Sequence, residues 1–487
     1  MKAKVIGAGI AGLATAIRLR AKGYEVKVHE ANYYPGGKLT AFQQGDYRFD
    51  AGPSLFTLPH LVDDLFKLSG KNPKDYFDYI KLDTACHYFW DDLTVFNAST
   101  NPKKFAEEAA KVFSVPEVEV LDYLKYSHKL YEYNSPVFLE QSLHKIKNYL
   151  RSHVGKALLR IWQFNLGKSM HRVNAKKFSS KKLVQLFDRY ATYNGSNPYK
   201  APGVLTMIPH LEHGIGTFFP KGGMHEITQS IFKLAKDIGV EFQFESYIDE
   251  IIVENKKAKG IKLNTGKQEF ADLVVSNMDI VPTYRKLMPK QKAPERTLKQ
   301  ERSSSALIFY WGVKGVFKEL NLHNILFSND YKEEFDSLFR KKSLQSDPTV
   351  YINISSKYNS TDAPKGCENW FVMINAPADY GQDWDQLIDK ARKMIYDKIY
   401  KSLGIDIKPL IENESVLDPR LIQSQTSSYR GALYGAASNN PLAAFIRHPN
   451  FSNSIENLYF CGGSVHPGGG IPLCLLSAKI VDELIEQ

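Results

Sequence analysis

Met1-Lys-Ala-Lys-Val-Ile-Gly7-Ala-Gly9-Ile-Ala-Gly12 opens the chain, and its reading decides the fold. A short apolar strand runs into Gly7-x-Gly9-x-x-Gly12, and the helical pattern Leu13 to Arg20 follows at once. Such a turn needs Gly7 to bend tightly, Gly9 to bring backbone N–H groups up to a pyrophosphate, and Gly12 to let the helix pack on the strand. A second strand, Glu25 to Glu30, ends on a carboxylate where a ribose hydroxyl is held. Strand, glycine turn, helix and acid fall within a βαβ unit of about 30 residues, the context that makes a short motif a dinucleotide site. A signal peptide would share the Ala/Ile/Leu content but not three spaced glycines with Glu30 downstream.

A chain of 487 residues has room for two or three domains with sizeable cores. It shows no internal repeat or low-complexity tract, which argues against a solenoid or a long disordered region. Cys86, Cys367, Cys461 and Cys474 have neither CxxC spacing nor the density of a disulfide scaffold, so a reducing cytoplasm is expected and a zinc site is not. No apolar run reaches the roughly 18 residues needed to span a bilayer, which leaves a soluble protein or one resting on a membrane.

Charge is concentrated. Between Gln141 and Phe187 stand Lys145, Lys147, Arg151, Lys156, Arg160, Lys168, Arg172, Lys176, Lys177, Lys181 and Lys182, with no acid among them. Without these eleven bases the formal +10 of the chain becomes about −1. Leu143, Ile146, Leu150, Val154, Leu158 and Trp162 recur there at three- and four-residue steps, the spacing of one helical face. Two readings fit: a basic amphipathic helix lying on anionic lipid, or a helix with an internal apolar stripe and solvated lysines. No nucleic-acid-binding signature accompanies the charge, so no nucleic-acid partner is expected.

The strands Val240 to Phe244, Ile248 to Glu254 and Ala271 to Asn277 bring the chain back to the nucleotide unit after an excursion, so the domains are discontinuous. The expected fold class is α/β. A Rossmann-like nucleotide-binding domain takes 1–70, 215–285 and 450–487, and a mixed-sheet substrate domain takes 71–100, 191–214 and 286–449. A helical, basic cap, a candidate membrane-facing element, takes 101–190.

Beyond the first motif come Pro35-Gly-Gly-Lys38, Phe49-Asp-Ala-Gly-Pro53, Pro198-Tyr-Lys-Ala-Pro202, Phe219-Pro-Lys-Gly-Gly223 and His466-Pro-Gly-Gly-Gly-Ile-Pro472. In this order, end to end, they resemble the bacterial carotenoid (phytoene-type) desaturases. The resemblance implies an amine-oxidase-like or glutathione-reductase-like FAD domain and an FAD enzyme that draws hydrogen from a long polyene. Carried onto this chain, Gly7, Gly9 and Gly12 cradle the FAD pyrophosphate and Glu30 binds the adenosine ribose. Gly36, Gly37, Lys38, Gly52 and Pro53 line the phosphate and flavin channel, Ile248 meets the adenine, and Gly462, Gly463, Gly470, Ile471 and Pro472 run under the flavin ring. A helix N-terminus there offers N–H groups to the charge of a reduced flavin.

Ser464, Val465 and Leu473 depart from the phytoene pattern and are similar to the subgroup that desaturates hydroxylated, sometimes monocyclic (γ-carotene-type) carotenoids at the 3,4 position. The implied partners are a lipophilic carotenoid, an anionic membrane surface and an electron acceptor such as quinone or oxygen. The implied location is cytoplasmic and peripheral to the membrane. A hydride passing to flavin N5 needs orientation more than a strong acid or base, and no nucleophile motif or metal cluster appears, so no catalytic side chain is assigned. His466 reads as shaping its glycine turn. Phe218, Phe219, Phe309 and Trp311 are tunnel candidates, with core packing the expected role of any one of them. A multi-step phytoene desaturase, a flavin-dependent isomerase, a carotenoid carrier and a flavin amine oxidase are the competing readings.

Overall fold

The computed structural model describes residues 1–150, 154, 155, 164, 165 and 167–485. Strand β1 (Lys2–Ile6) is apolar because it lies in the middle of a parallel sheet and is covered on both faces. It pairs in parallel with β2 (Glu25–His29) on one side and with Leu273–Ser276 on the other. Glu241–Gln243 and Leu458–Phe460 complete the five strands as its edges. Helix α1 (Ile10–Ala21) is buried along most of its length because it is enclosed by the sheet and by the helices His60–Leu68, Glu226–Asp237 and Ile471–Leu484. Segments nearly 460 residues apart in the chain thus share one sheet, as the returning strands suggested.

A second sheet has seven strands, in the order Ile411–Leu417, Ser305–Lys314, Cys367–Ala376, Val350–Asn353, His323–Leu326, Thr84–Phe89 and Val95–Ser99. All its pairings are antiparallel except that between His323–Leu326 and Thr84–Phe89. Side chains alternate across it. Leu307, Phe309, Trp311, Val350, Ile352, Trp370, Val372 and Ile374 point one way, into a core shared with Trp384, Ala391, Ile395 and Ile399 of the helix Trp384–Leu403. The opposite face is turned towards the nucleotide sheet.

Helices Pro102–Phe113, Glu117–Asn134, Met170–Lys177 and Lys181–Asp188 pack over the edge of this sheet around Phe96, Phe105, Tyr123 and Phe187. Over the described residues Leu143 to Leu150, the continuous amphipathic helix expected from Leu143 onward does not form. Leu143 is buried in a turn, Ile146–Leu150 is a 3₁₀ helix, and Ile146 is 84% exposed although it sits three residues from Leu143. Asn148 Nδ2 and Tyr149 OH donate to the carbonyls of Ser142 and Leu143, side-chain bonds that compete with helical ones. Leu158, Trp162, Arg151, Lys156 and Arg160 lie outside the described residues.

Candidate functional site

Between the two sheets runs a cavity of about 780 Å³. Its nucleotide side is made chiefly of backbone. Gly9 is the N-cap of α1, and Gly9 and Gly36 run side by side as an isolated parallel bridge in which Gly36 N–H donates to Ala8 O at 2.8 Å. Gly470 caps the helix Ile471–Leu484, which packs along α1. Gly9, Ile10 and Ala11 from one helix start and Gly470, Ile471 and Pro472 from the other line the same cavity. Two positive helix ends are aimed at one space.

Glu30, at the end of β2, is buried, with Ala8 N–H donating to its Oε2 at 2.6 Å and Asn32 N–H to its Oε1 at 2.9 Å. Burial raises its pKa, and those amides oppose the rise. Each oxygen keeps a lone pair for a further donor. Ser246, Tyr247 and Ile248 lie across from it, and Ser246 N–H donates to Glu30 O at 2.8 Å.

The glycines also serve the protein itself. Asn277, just past the returning strand, touches the glycines of two distant motifs: an added Cβ would stand 2.7 Å from its Oδ1 at Gly9, 3.1 Å at Gly12, and 2.5 Å from its Nδ2 at Gly462. Its amide donates to Cys461 O at 3.2 Å. At Gly12 a Cβ would overlap the carbonyl oxygen of Gly7, and at Gly52 that of Lys38, so neither position admits a side chain.

Lys38 is half-buried on the cavity wall and donates to Leu433 O at 2.9 Å; burial lowers its pKa, and Asp279 opposes this. Arg447 ties two cavity loops together, giving Nη1 to the carbonyls of Tyr434 (3.0 Å) and Gly463 (3.1 Å) and Nη2 to Ala436 O (2.7 Å). Burial pulls its pKa to about 10. His466 is buried, shares a hydrogen bond with Gln141 O at 2.9 Å, and is held near a pKa of about 3 by burial. It does not line the cavity, in keeping with a turn-shaping role.

The sheet side is made of side chains. Ile308, Phe371, Met373, Asn375, Thr349, Tyr351, His323 and Ile325 face inward from four strands, the parity opposite to that of the helix-covered core. This corrects the tunnel candidates. Phe309 and Trp311 point into the helix-covered core, Phe219 packs with Leu82 and Leu322, and Phe218 lies against the core around α1; none of the four reaches the cavity.

Beside this wall stands a charged group. Arg189, Tyr193 and Glu212 line the cavity, with Arg189 Nη2 3.2 Å from Glu212 Oε2 and donating to Tyr88 OH at 2.6 Å. Tyr190 OH donates to Glu212 Oε2 at 2.6 Å, and Tyr193 OH bonds Oε1. Burial works to raise the Glu212 pKa, but Arg189 and the tyrosine hydroxyls outweigh it and hold the carboxylate ionised.

The structure brings Gly7, Gly9, Glu30, Gly36, Gly37, Lys38, Gly52, Pro53, Ile248, Gly462, Gly463, Gly470, Ile471 and Pro472 onto this single cavity. Gly12 alone of the sequence-derived set stands behind it, in the packing of α1 on the glycine turn. Sequence reading passed over Asn277, Arg447, Tyr434 and every side chain of the sheet wall. Asn277 had a usable signal, a polar residue at the carboxyl end of a parallel strand, where ligands of open α/β sheets bind.

These residues fit FAD. Paired glycine loops, two helix N-termini and a buried carboxylate suit a dinucleotide, and the open space at Gly470, where an added Cβ meets nothing within 4 Å, leaves room beside the second helix start. Among the described residues no cluster of His, Cys, Asp or Glu is arranged to hold a metal.

Comparison with known proteins follows the same line. The pattern of the flavin containing amine oxidoreductase family matches residues 10–481. A 1-hydroxycarotenoid 3,4-desaturase of Flavobacterium sp. (strain P99-3) is 57% identical over 484 residues, 99% of each chain. A phytoene desaturase of Fusarium fujikuroi is 29% identical over 506 residues, covering 99% of this chain and 88% of its own. Among solved structures, cyclohexylamine oxidase from Brevibacterium oxydans IH-35A superposes with a TM-score of 0.62 at 15% identity, covering 99% of this chain and 98% of its own, a likeness of fold.

Proposed function

Because this chain belongs to the flavin-containing amine oxidoreductases and, within them, to the carotenoid desaturases, an FAD-using group of oxidoreductases, we propose that it desaturates a hydroxylated carotenoid at the 3,4 position. The whole-length 57% identity to a 1-hydroxycarotenoid 3,4-desaturase carries this reading. Bound FAD would supply a hydride acceptor at N5, with a quinone or oxygen as the final acceptor of the electrons. Gly7, Gly9, Gly36, Gly37 and the two helix starts hold its pyrophosphate, with Gly12 setting the approach of α1. Glu30 takes the adenosine ribose, Ile248 the adenine side, Lys38, Gly52 and Pro53 the channel, and Gly462, Gly463, Gly470, Ile471 and Pro472 the ring. In domain terms, 1–70, 215–285 and 450–487 bind FAD, 71–100, 191–214 and 286–449 bind the carotenoid, and 101–190 form the cap.

The chain's own work is orientation. Ile308, Ile325, Phe371 and Met373 offer an apolar wall along which a rigid polyene is aligned and kept from water. The wall's ionisable side chains are paired or neutral: Glu212 is bound by Arg189 and two tyrosines, and burial holds the His323 pKa near about 4. Alignment, with charge spread along the polyene, carries the reaction.

The protein docks on a membrane surface from which the carotenoid is drawn. Ile146 (84%), Leu442 (59%), Phe445 and Tyr149 are exposed on two touching segments, where Phe138 and Phe445 stack edge-on at 5.7 Å and His144 Nε2 shares a hydrogen bond with Phe445 O at 3.2 Å. Lys145 and the exposed Lys147 flank them, apolar groups beside cations as an anionic interface requires. No described helix is long and apolar enough to cross a membrane.

Pigment analysis in a host supplied in turn with phytoene, lycopene, γ-carotene and their 1-hydroxylated forms tests the substrate. Conversion of the hydroxylated compounds to 3,4-didehydro products is expected. Efficient conversion of phytoene to lycopene would overturn it.

A further inference from the structure

His323 is buried in the sheet wall, and its ring is held from one side. Tyr351 OH lies 2.7 Å from its Nδ1 and 2.8 Å from Ser54 Oγ, and Asn353 Nδ2 lies 3.2 Å from the same Nδ1. The orientation of Asn353 follows from its Nδ2 donating to Leu322 O at 3.0 Å. An amide nitrogen only donates, so Nδ1 accepts and the ring proton sits on Nε2. Nε2 is buried with no hydrogen-bond partner among the described residues. The charges that reach the ring are those of Glu212 and Arg189, and Arg189 Nε is likewise a buried N–H without an acceptor. An unmet buried donor is costly unless something fills it.

Around this spot the wall is apolar: Ile325 is two residues along the same strand, and Phe371 and Met373 stand on a nearby strand. The matching ligand is a long apolar body with one oxygen at its end. Resting on the desaturase reading above, we propose that His323, oriented by Tyr351 and Asn353, donates its Nε2–H to the terminal hydroxyl oxygen of the carotenoid. It is the residue that separates hydroxylated substrates from plain hydrocarbons. Arg189 Nε is a second unpaired donor on a residue that lines the same cavity. A site built to bond an oxygen rejects the analogue without one, because its own polar groups are then left unpaired.

The test is the ratio of kcat/KM for a 1-hydroxylated acyclic carotenoid to that for the same carbon skeleton without the hydroxyl. It is measured on the FAD-loaded wild type and on His323→Leu and His323→Gln. A ratio does not depend on how much of each variant folds, so partial misfolding leaves the comparison intact. In His323→Leu the ratio is expected to fall by about tenfold to a hundredfold through loss on the hydroxylated substrate. His323→Gln, which keeps an N–H donor, is expected to recover part of it. A ratio in His323→Leu within about twofold of wild type overturns the proposal. A wild type that turns over both compounds equally also overturns it and leaves the desaturase reading standing. A wild type that turns over neither, while binding FAD, overturns the desaturase reading and this assignment with it.

Discussion

The two sides of the cavity are built on different principles. The nucleotide side is backbone: Gly9, Gly36 and Gly470 clear space, and helix ends and main-chain amides face it. The sheet side is side chain: Ile308, Tyr351, His323 and Met373 come from four strands separated by as many as 65 residues, and the parity of each strand decides which of its residues is seen. A backbone site tolerates few substitutions because it has nothing to give. A side-chain site can be retuned one residue at a time. The same fold therefore keeps its cofactor and changes its substrate.

The sharpest break of that contrast is Gly12→Val. Its Cβ would overlap the Gly7 carbonyl, and backbone cannot swing aside as a side chain can. Little folded protein and no bound flavin absorbance are expected. A fully flavinylated, normally melting variant would show that the turn is not closed by backbone contact.

Next comes a pair on one strand. Phe309→Ala empties the helix-covered core and is expected to cost about 3–5 kcal/mol in denaturant unfolding. Ile308→Phe, one residue away on the cavity face, should leave stability within about 1–3 kcal/mol of wild type while carotenoid turnover falls steeply. Equal effects on stability and turnover in both would deny the parity argument.

A smaller effect is expected behind the wall. Glu334 is buried, accepting from Thr349 Oγ1 at 2.6 Å and Asn375 Nδ2 at 3.3 Å, and burial raises its pKa from 4.5 to about 7. Between those values the folded state holds a proton that the unfolded state has lost, so stability falls as pH rises from about 5 to about 7. Glu334→Gln removes that slope, and its advantage over wild type, of the order of 1–3 kcal/mol, appears above pH 7 and not at pH 5. Melting curves at both pH values decide; an identical slope in the variant contradicts the account.

The weakest effect belongs to the surface. Lys145→Gln with Lys147→Gln removes two charges, each worth about 1 kcal/mol near an anionic surface, and Ile146→Ser with Leu442→Ser removes apolar contact. Co-sedimentation with anionic vesicles should drop for either pair. For the lysine pair, the difference from wild type should shrink as salt shortens the screening length below about 8 Å. Unchanged sedimentation of all variants would leave the lysines as ordinary solvated groups.

What was legible in the sequence follows the same division. Gly7, Gly9 and Glu30 could be placed at the cavity because their motif depends on neighbours a few residues away, whereas the Gly36-Gly37-Lys38 loop was marked only by the family resemblance. The return to the nucleotide sheet at Ala271–Asn277 was also visible, as an apolar strand coming after an excursion. Phe309 was named as a tunnel candidate and Ile308 was not, because size is printed in the sequence and facing is not; only the packing of Trp384–Leu403 against one face decides it. The basic stretch misled for a related reason. Its three- and four-residue spacing describes a helix, but between Leu143 and Tyr149 the side chains of Asn148 and Tyr149 bond back to the carbonyls of Ser142 and Leu143 instead. His323 carried no local mark at all, since its role rests on Tyr351, Asn353 and Ser54, each far away in the chain.

The central claim is that one cavity joins a flavin to a carotenoid so that hydrogen passes between them. Anaerobic mixing of the oxidised FAD-loaded protein with a 1-hydroxylated acyclic carotenoid tests it most directly, by following flavin absorbance and carotenoid products together. The account predicts bleaching of the flavin in step with a product that has one more double bond. A changed isomer profile without bleaching, or binding with neither change, would contradict it.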